Sequence, residues 1–410
     1  MGRQKWLSTF GRLQRLMPLA STVLGSWQRM GTNRKTVVFH FRYPMNFVVC
    51  KHLLLRLTED HLVNVAVCLQ CDDPLSRQVI LRLVRESIGP LPAIDADQLY
   101  GLRFDVLVTP IWELAFHHLP RLRRLQHVRR LLGLGSFKSV QVFHALSEKN
   151  GAAVGNRELA EQFDYLFLLN RRAYRYYERL GMPAERMRLV GFGKLDALVR
   201  GRVETVSLAK KLGINGRPVV LYAPTWEFVN ESPDLLEGVV HNLGRVHAKA
   251  LVKFHDLTYR HYEGSGFLDR LQQQNRSVSF VREEDSSRCL ALADLLISDV
   301  SSIAYEYLVL DRPVVFVETP EMIRRFSAKE MGLEIEMRYC GHIVQALDGL
   351  PALVESCLAN PKEKAGARRE VLEEVLFKPG TAVDRATEEI YDLLGTEKPG
   401  TAPVNWLERN

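Results

Sequence analysis

The chain has 410 residues, more than one hydrophobic core usually organises, so we expect two domains. Hydrophobic residues make up 46% and charged residues 25%, a composition that excludes an intrinsically disordered chain. The formal net charge of +7 is unevenly spread, because no Asp or Glu precedes Glu59 whereas basic residues recur from Arg3 to Arg56. This stretch predicts attraction to an anionic surface, for which nucleic acid, phospholipid and polyphosphate all qualify.

Residues 1–31 have the pattern of a basic amphipathic helix. Apolar residues at three- and four-residue steps mark one side of it: Trp6, Phe10, Leu13, Met17, Ala20, Leu24 and Trp27. The apolar run is about half the roughly 20 residues that a spanning helix needs, and Pro18 interrupts it. We therefore expect neither a transmembrane segment nor a signal peptide, and predict attachment to an anionic membrane surface; a helix docked on the protein itself is the alternative.

Residues 32–205 alternate between strand-like and helix-like patterns. Five largely apolar runs have the length of strands: Thr36–His40, Asn64–Leu69, Phe104–Val108, Ser139–Phe143 and Tyr165–Leu169. Helix-like stretches separate several of them, which predicts a parallel, doubly wound sheet with helices on both faces. Two histidines, His117 and His118, adjoin an arginine-rich run that we interpret as a solvated or acceptor-facing surface.

A polar segment at 201–217 ends this first lobe, and we predict a second α/β lobe at 206–395. Its predicted strands are Pro218–Ala223, Ala250–Phe254, Val278–Val281, Leu295–Ser298 and Pro313–Val317. A helical stretch is predicted from about Glu363 to Leu394, followed by a loose Thr/Pro/Gly tail at 396–410.

Several chemistries are excluded by the motifs that the sequence lacks. It has no Walker A loop, no G-x-G-x-x-G after a strand, no H-E-x-x-H and no G-x-S-x-G. Cys68 and Cys71 form the one C-x-x-C pair, and a zinc ribbon would need a second. We therefore expect no metal and no cofactor, and interpret the six cysteines as small apolar side chains in a reducing compartment.

The segment from Ala293 to Tyr307 is the most informative part of the sequence. A buried strand should end at Ser298, and a helix should begin near Ser301, so that hydroxyls and free N–H groups lie at the positive end of a helix. This arrangement favours phosphate binding. Glu306 follows Ser302 by one helical turn, which suits the ribose of the same nucleotide. Simple helix capping by the two serines is the alternative.

Here the sequence resembles the CDP-glycerol glycerophosphotransferase family, which includes the teichoic acid primases and polymerases. Asp299-Val-Ser-Ser with Tyr305-Glu-Tyr resembles the family's D-Y-S-S…F-D-Y. Four further segments match in order: Gln141-Val-Phe-His-Ala-Leu-Ser-Glu-Lys resembles Q-x-W-H-G-x-x-x-K, Gly191-Phe-Gly-Lys-Leu-Asp resembles G-x-P-R-x-D, Leu221-Tyr-Ala-Pro-Thr-Trp resembles Y-A-P-T-W, and Lys253-Phe-His-Asp resembles K-x-H-P.

The resemblance implies a GT-B-like fold: two doubly wound Rossmann-type lobes with the nucleotide in a central cleft. The implied reaction transfers a polyol phosphate, glycerol phosphate foremost, from a CDP-linked donor and releases CMP. The catalytic residues that it implies are His144, as general base, and His255. The donor-binding residues are Thr225, Lys253, Asp299, Ser301, Ser302 and Glu306, with Lys149 and Lys194 on the acceptor or phosphate side.

The expected partners are CDP-glycerol or a related CDP-polyol, a lipid-linked or polymeric envelope acceptor, and the cytoplasmic face of the membrane; we expect no nucleic acid. Five residues in four of the motifs depart from the family pattern and leave the donor headgroup open: Ala145, Gly193, Lys194, Glu227 and Asp256. Two alternatives follow. One is a GT-B glycosyltransferase that uses a nucleotide sugar for capsule or lipopolysaccharide, and the other is a non-catalytic nucleotide-binding protein at the membrane.

The basic N-terminal segment leads to a first prediction. A truncated chain that begins at Thr32 should keep its donor site but lose most of its binding to anionic vesicles. Each basic residue near an anionic surface contributes about 1 kcal/mol, so losing several lowers partitioning by orders of magnitude. Co-sedimentation with anionic vesicles, repeated at raised salt, measures the effect. Equal sedimentation of the truncated and full chains would show that this segment is not the anchor.

Overall fold

The computed structural model describes residues 34–143, 145–146, 157–327, 338–344 and 346–396. The predicted segment 1–31 lies outside these residues, as does the predicted tail apart from Thr396. Along the described chain, strands and helices alternate as the sequence analysis expects. No helix among these residues has both the length and the apolar character needed to cross a bilayer.

The first sheet has seven strands. These are β1 Lys35–Phe41, β2 Val63–Leu69, β3 Ala93–Asp95, β4 Val106–Thr109, β5 Lys138–Val142, β6 Tyr165–Leu168 and β7 Met187–Leu189. Their order across the sheet is β3-β2-β1-β4-β5-β6-β7, and every pair from β3 to β6 is parallel. The strand order therefore reverses between β1 and β4, as in a doubly wound sheet.

The described residues of this part of the chain form six helices: α1 Pro44–Thr58, α2 Pro74–Ser87, α3 Glu113–Arg124, α4 Gln126–Leu131, α5 Arg157–Ala160 and α6 Arg171–Arg179. Local side chains fix where two of them begin. The Asp73 carboxylate accepts the N–H of Ser76 at 2.7 Å, and the Asn170 carbonyl accepts the N–H of Ala173 at 2.7 Å. Each satisfies a backbone donor that the first helical turn leaves without an intrahelical acceptor.

The second sheet has six strands, and all of its pairs are parallel. They are β8 Val219–Tyr222, β9 Lys249–Val252, β10 Ser279–Phe280, β11 Leu295–Ser298, β12 Val314–Val317 and β13 His342–Val344, in the order β10-β9-β8-β11-β12-β13. The central strands β8, β11 and β12 are buried along their whole length, and they are largely apolar, with Ser298 at the end of β11 as a polar exception. Val220, Leu295 and Ile297, for example, share one buried cluster with residues of the flanking helices.

Among the residues that the structure describes, twelve helices accompany this sheet or flank it in sequence. They are α7 Asp196–Val199, α8 Val206–Leu212, α9 Trp226–Glu231, α10 Pro233–Leu243, α11 Asp256–His261, α12 Phe267–Gln274, α13 Ser287–Leu292, α14 Ile303–Tyr307, α15 Pro320–Ser327, α16 Leu350–Ala359, α17 Ala365–Val375 and α18 Ala382–Leu394.

The predicted helical stretch from Glu363 to Leu394 is wrong in one respect, because the chain forms two helices there. Residues 376–381 separate α17 from α18, and Gly380 in this linker has a φ of +90°, a left-handed value that glycine adopts without strain. Strands β3, β7 and β13 were not predicted. Each has three residues, too few for an alternating pattern to be recognised.

The chain divides into two compact units. The first holds the described residues up to Val142, Glu158–Phe167 and those from Asp384; the second holds Leu168–Val383 and the short stretch around Phe143–Arg157. This division differs from the predicted boundary between residues 205 and 206. The last helix joins the first unit, where the Tyr391 hydroxyl hydrogen-bonds the buried Asp60 carboxylate. Residues 168–205 join the second unit through buried polar contacts described below.

Candidate functional site

The strand order of the second sheet reverses between β8 and β11, and the carboxyl ends of these two neighbours define a crevice of the kind in which α/β sheets bind ligands. The loop after β8 holds Thr225, and the loop after β11 holds Asp299, Ser301 and Ser302. These are four of the predicted donor-binding residues. The fold therefore brings together residues that lie more than 70 positions apart in sequence.

Asp299 locks the two loops to each other. Its carboxylate accepts the backbone N–H of Thr225 at 2.9 and 3.0 Å and the Thr225 hydroxyl at 2.6 Å. Both side chains are buried, at 2% and 4% exposed, and the Ser298 hydroxyl adds a 2.7 Å bond to the Ala223 carbonyl. A carboxylate that accepts several donors from a buried partner fixes geometry. Asp299 and Thr225 therefore shape the crevice.

Ser301 and Ser302 lead into the short helix α14 and are half-buried. The carbonyl of Ser302 accepts the N–H groups of Tyr305 and Glu306, each at 3.1 Å. The predicted helix start near Ser301 is thus two residues early, since α14 begins at Ile303. Both serine side chains lie in the loop of the switch point, next to the locked pair.

Lys194, Glu306 and Ser286 form a buried polar cluster. The Lys194 ammonium donates to the Glu306 carboxylate at 2.6 Å and to the Ser286 hydroxyl at 3.2 Å. Each of the three residues is 3 or 4% exposed. The sequence predicted Lys194 and Glu306 separately, on the phosphate and ribose sides; the structure joins them in one ion pair. Burial of both charges is tolerable because they compensate one another.

The backbone around Gly193 approaches Val383 closely. A Cβ at position 193 would lie 2.9 Å from Val383 Cγ2, and the buried Asp196 carboxylate accepts the Val383 N–H at 2.8 Å. The Gly193-Lys194 departure from the family pattern therefore has a packing reason. It allows the segment that carries Lys194 to lie against the start of α18 within the second unit.

His255 and Lys253 follow β9, on the neighbouring loop of the same sheet edge. His255 is exposed, and its Nδ1 atom accepts the Leu257 N–H at 3.1 Å, which caps helix α11. An Nδ1 atom that accepts must be deprotonated, so the neutral ring carries its proton on Nε2. Lys253 is half-buried, and its backbone N–H donates to the Tyr222 carbonyl at 2.9 Å.

His144 and Lys149, the predicted base and its companion cation, lie outside the described residues and remain predictions. In contrast, sequence reasoning missed Ser286 and Ser287. Ser286 precedes α13 and Ser287 is its first residue; their Asp285-Ser-Ser segment resembles Asp299-Val-Ser-Ser, and this similarity was the available signal. The Ser287 hydroxyl is buried without a hydrogen-bond partner among the described residues.

The first sheet carries a polar group at its own switch point between β1 and β4. His40 is fully buried, with Nδ1 3.0 Å from the Thr109 hydroxyl and Nε2 3.0 Å from the Gln70 side-chain oxygen. Burial lowers the pKa of His40 to about 3, so the ring is neutral at physiological pH. A cavity of about 450 Å³ lies nearby, lined in part by Gln70, Arg77 and His118.

The remaining sulfur and carboxylate groups suggest structural roles. All six cysteines are free, as expected, and five are buried. Burial raises the pKa of Cys71 to about 11, which disfavours the reactive thiolate. Within the described ranges, no set of His, Cys, Asp and Glu side chains is arranged to hold a metal ion.

Comparisons with known proteins indicate the family to which the sequence is similar. The family model of the CDP-glycerol:poly(glycerophosphate) glycerophosphotransferases matches residues 131–393. A teichoic acid poly(glycerol phosphate) polymerase of Staphylococcus epidermidis is 29% identical over 169 residues, which are 39% of this chain and 23% of that protein. The chain thus matches less than a quarter of the length of this relative.

Solved structures extend the likeness in fold. A wall teichoic acid polymerase, TagF, superposes with a TM-score of 0.61 at 17% identity, covering 96% of this chain and 99% of that one. A UDP-N-acetylglucosamine 2-epimerase gives 0.57 at 12% identity, covering 90% and 99%. At identities this low, the superpositions show a shared fold and nothing more. They confirm the predicted GT-B-like fold class.

The buried ion pair generates a second prediction. Lys194→Met leaves the Glu306 carboxylate buried without its cation, so we expect it to lower the free energy of unfolding by about 3–5 kcal/mol. The double variant Lys194→Met/Glu306→Leu should recover most of that loss, because no charge is then left unpaired. Urea unfolding measures both.

The exposed pair Arg175 and Glu374, 3.1 Å apart, provides the matched control. Arg175→Met should cost at most about 1 kcal/mol, since solvent screens this pair. A Lys194→Met variant no less stable than Arg175→Met would mean that the Lys194–Glu306 pair does not stabilise the site.

Proposed function

Because the chain belongs to the CDP-glycerol:poly(glycerophosphate) glycerophosphotransferase family, we propose that it transfers a polyol phosphate from a CDP-linked donor to a cell-envelope acceptor and releases CMP. Glycerol phosphate is the proposed headgroup, and a polymer or a lipid-linked molecule the proposed acceptor. One observation carries the proposal: the family's Asp-x-Ser-Ser segment lies on the switch-point loop, where Asp299 is locked to Thr225. That is where an α/β sheet binds a nucleotide.

Donor binding is assigned to the loops at the carboxyl edge of the second sheet. Ser301 and Ser302 would donate hydroxyl hydrogen bonds to the pyrophosphate. Glu306 would accept from ribose hydroxyls, with its carboxylate oriented by Lys194. Ser287 follows Ser286 in sequence, and its hydroxyl, buried without a partner among the described residues, would be an additional donor for the bound nucleotide. In this arrangement Lys194 acts as a positioning residue, since Glu306 compensates its charge.

The proposed reaction requires little covalent chemistry from the protein itself. The acceptor hydroxyl attacks the phosphorus next to the polyol, a new P–O bond forms, and the bond to the CMP oxygen breaks. Catalysis then depends on proton removal, positioning and charge stabilisation. We assign proton removal to His144, for a contribution of roughly 10²–10⁴-fold. His255, with its donor at Nε2, and Lys253 would stabilise the phosphoryl oxygens.

The second candidate is a glycosyltransferase that uses a nucleotide sugar. Two departures from the family pattern support this second candidate, because Glu227 and Lys194 occupy positions where the pattern has arginine. Incubation with CDP-glycerol, CDP-ribitol and common nucleotide sugars separates the two. Release of CMP supports phosphate transfer, whereas release of a nucleoside diphosphate identifies a glycosyltransferase. We also propose peripheral attachment at the cytoplasmic face of the membrane, supported by the basic, amphipathic sequence of residues 1–31.

His144→Ala is the third prediction. It should lower kcat by about 10²–10⁴-fold and leave donor affinity nearly unchanged, because a base acts on the acceptor hydroxyl. CMP release and calorimetric binding of CDP-glycerol measure the two effects. The exposed His247→Ala, with its side chain 92% exposed, is the matched control and should keep full activity. Near-normal turnover of His144→Ala would remove this residue from the mechanism.

The fourth prediction concerns Ser301 and Ser302. Replacing both by Ala should weaken CDP-glycerol binding, because each lost hydrogen bond to a charged group costs about 1.5–3 kcal/mol. The expected loss in affinity is tenfold or more by calorimetry. The exposed Ser136→Ala should bind normally. Unchanged affinity of the double variant would contradict the assignment of the pyrophosphate to this loop.

A further inference from the structure

Exposed aliphatic side chains cluster at the end of α3 and along α4. Leu125 is 40% exposed, Val128 46%, Leu131 75% and Leu132 69%. Single exposed aliphatic residues are common on soluble proteins, but here four of them lie within eight positions and together make up an apolar patch rather than an isolated side chain. We call residues 121–132 the α4 surface.

One arginine of α4 is anchored in the interior of the protein. Arg129 is 2% exposed, and its guanidinium donates to the carbonyls of Leu99 at 2.9 Å and Leu102 at 2.9 Å. It also lies over the ring of Phe104, 4.8 Å from the centroid. Because Arg129 is anchored inside, Val128 and Leu131 face outwards. The helix thus buries one of its two arginines and exposes Val128 and Leu131.

The charge around this patch has one sign. From Leu114 to Ser147 the sequence contains no Asp or Glu. The exposed basic residues there are Arg121, Arg124, Arg130 and Lys138. Arg123 forms an ion pair with Asp164 at 3.0 Å, so its charge is compensated and it is not counted among these exposed cations. The α4 surface therefore combines exposed aliphatic groups with uncompensated positive charge.

We propose that the α4 surface docks on a bilayer that contains anionic phospholipid. Leu131 and Leu132 enter the boundary between headgroups and acyl chains, and Arg124 and Arg130 pair with lipid phosphates. A nucleic acid would complement the charge but not the aliphatic side chains. A bilayer complements both. This docking depends neither on the reaction proposed above nor on residues 1–31.

A local probe on the full chain tests the contact. In a Cys71→Ser background, where the five remaining native cysteines are buried, Leu131→Cys carries an environment-sensitive fluorophore. Vesicles of phosphatidylcholine with roughly 30% phosphatidylglycerol should shift its emission to the blue, and pure phosphatidylcholine vesicles should not. Leu75→Cys, at an exposed position of the same unit, is the control and should not respond.

Two variant pairs separate charge from insertion. Arg124→Gln/Arg130→Gln should lower vesicle partitioning about fivefold for each charge removed, whereas Arg82→Gln/Arg85→Gln, exposed on α2, should not. Leu131→Ser/Leu132→Ser should abolish the emission shift of the same fluorophore placed at Val128→Cys. CMP release from CDP-glycerol in solution should be unchanged in all of them, which separates this test from that of the proposed function.

Three results would overturn the proposal. The first is that the fluorophore at position 131 shifts no more than the one at position 75, although the protein sediments with vesicles. The second is that soluble polyphosphate gives the same emission shift. The third is that the emission shift depends on protein concentration in the absence of vesicles. The first places the membrane contact elsewhere, the second identifies a polyanion site, and the third identifies self-association.

Discussion

The bond between Asp299 and Thr225 is the constraint on which the candidate site depends. It joins the ends of two neighbouring strands, β8 and β11. The strand order of the second sheet reverses between these two strands. A loop at such a point has few neighbours to restrain it, so a buried carboxylate with three short hydrogen bonds supplies the rigidity. The serines that follow inherit a fixed position, which is what preorganised binding of a phosphate requires.

A second set of buried polar contacts joins segments distant in sequence. Lys194 reaches Glu306 across more than 100 positions, and Asp196 reaches Val383 across more than 180. Both lysine and carboxylate would be costly inside the protein alone, so each requires the other. The segment around residues 191–196 is thereby held against other segments of the second unit, which explains why it groups with that unit despite preceding the predicted boundary.

The sequence predicted much of this architecture, because buried parallel strands are apolar along their whole length. Leu295–Ser298 is placed without error, and the other predicted strands differ at their ends by a few residues. The pairing of Lys194 with Glu306 could not be predicted, since no local pattern encodes which distant charges meet. The same holds for the lock on Asp299, which a motif marks as important without revealing its partner. The break between α17 and α18 was readable in principle from Pro379-Gly380.

The anchored arginine of α4 also bears on how the protein behaves in water. Arg129 is held by three carbonyls and two aromatic rings, so the helix has no low-energy way to roll its leucines inwards. A surface that cannot be concealed promotes association between molecules whenever its natural contact is missing. Detergent during extraction would cover these leucines, and its removal would leave the chain prone to precipitation, even though its interior is fully folded.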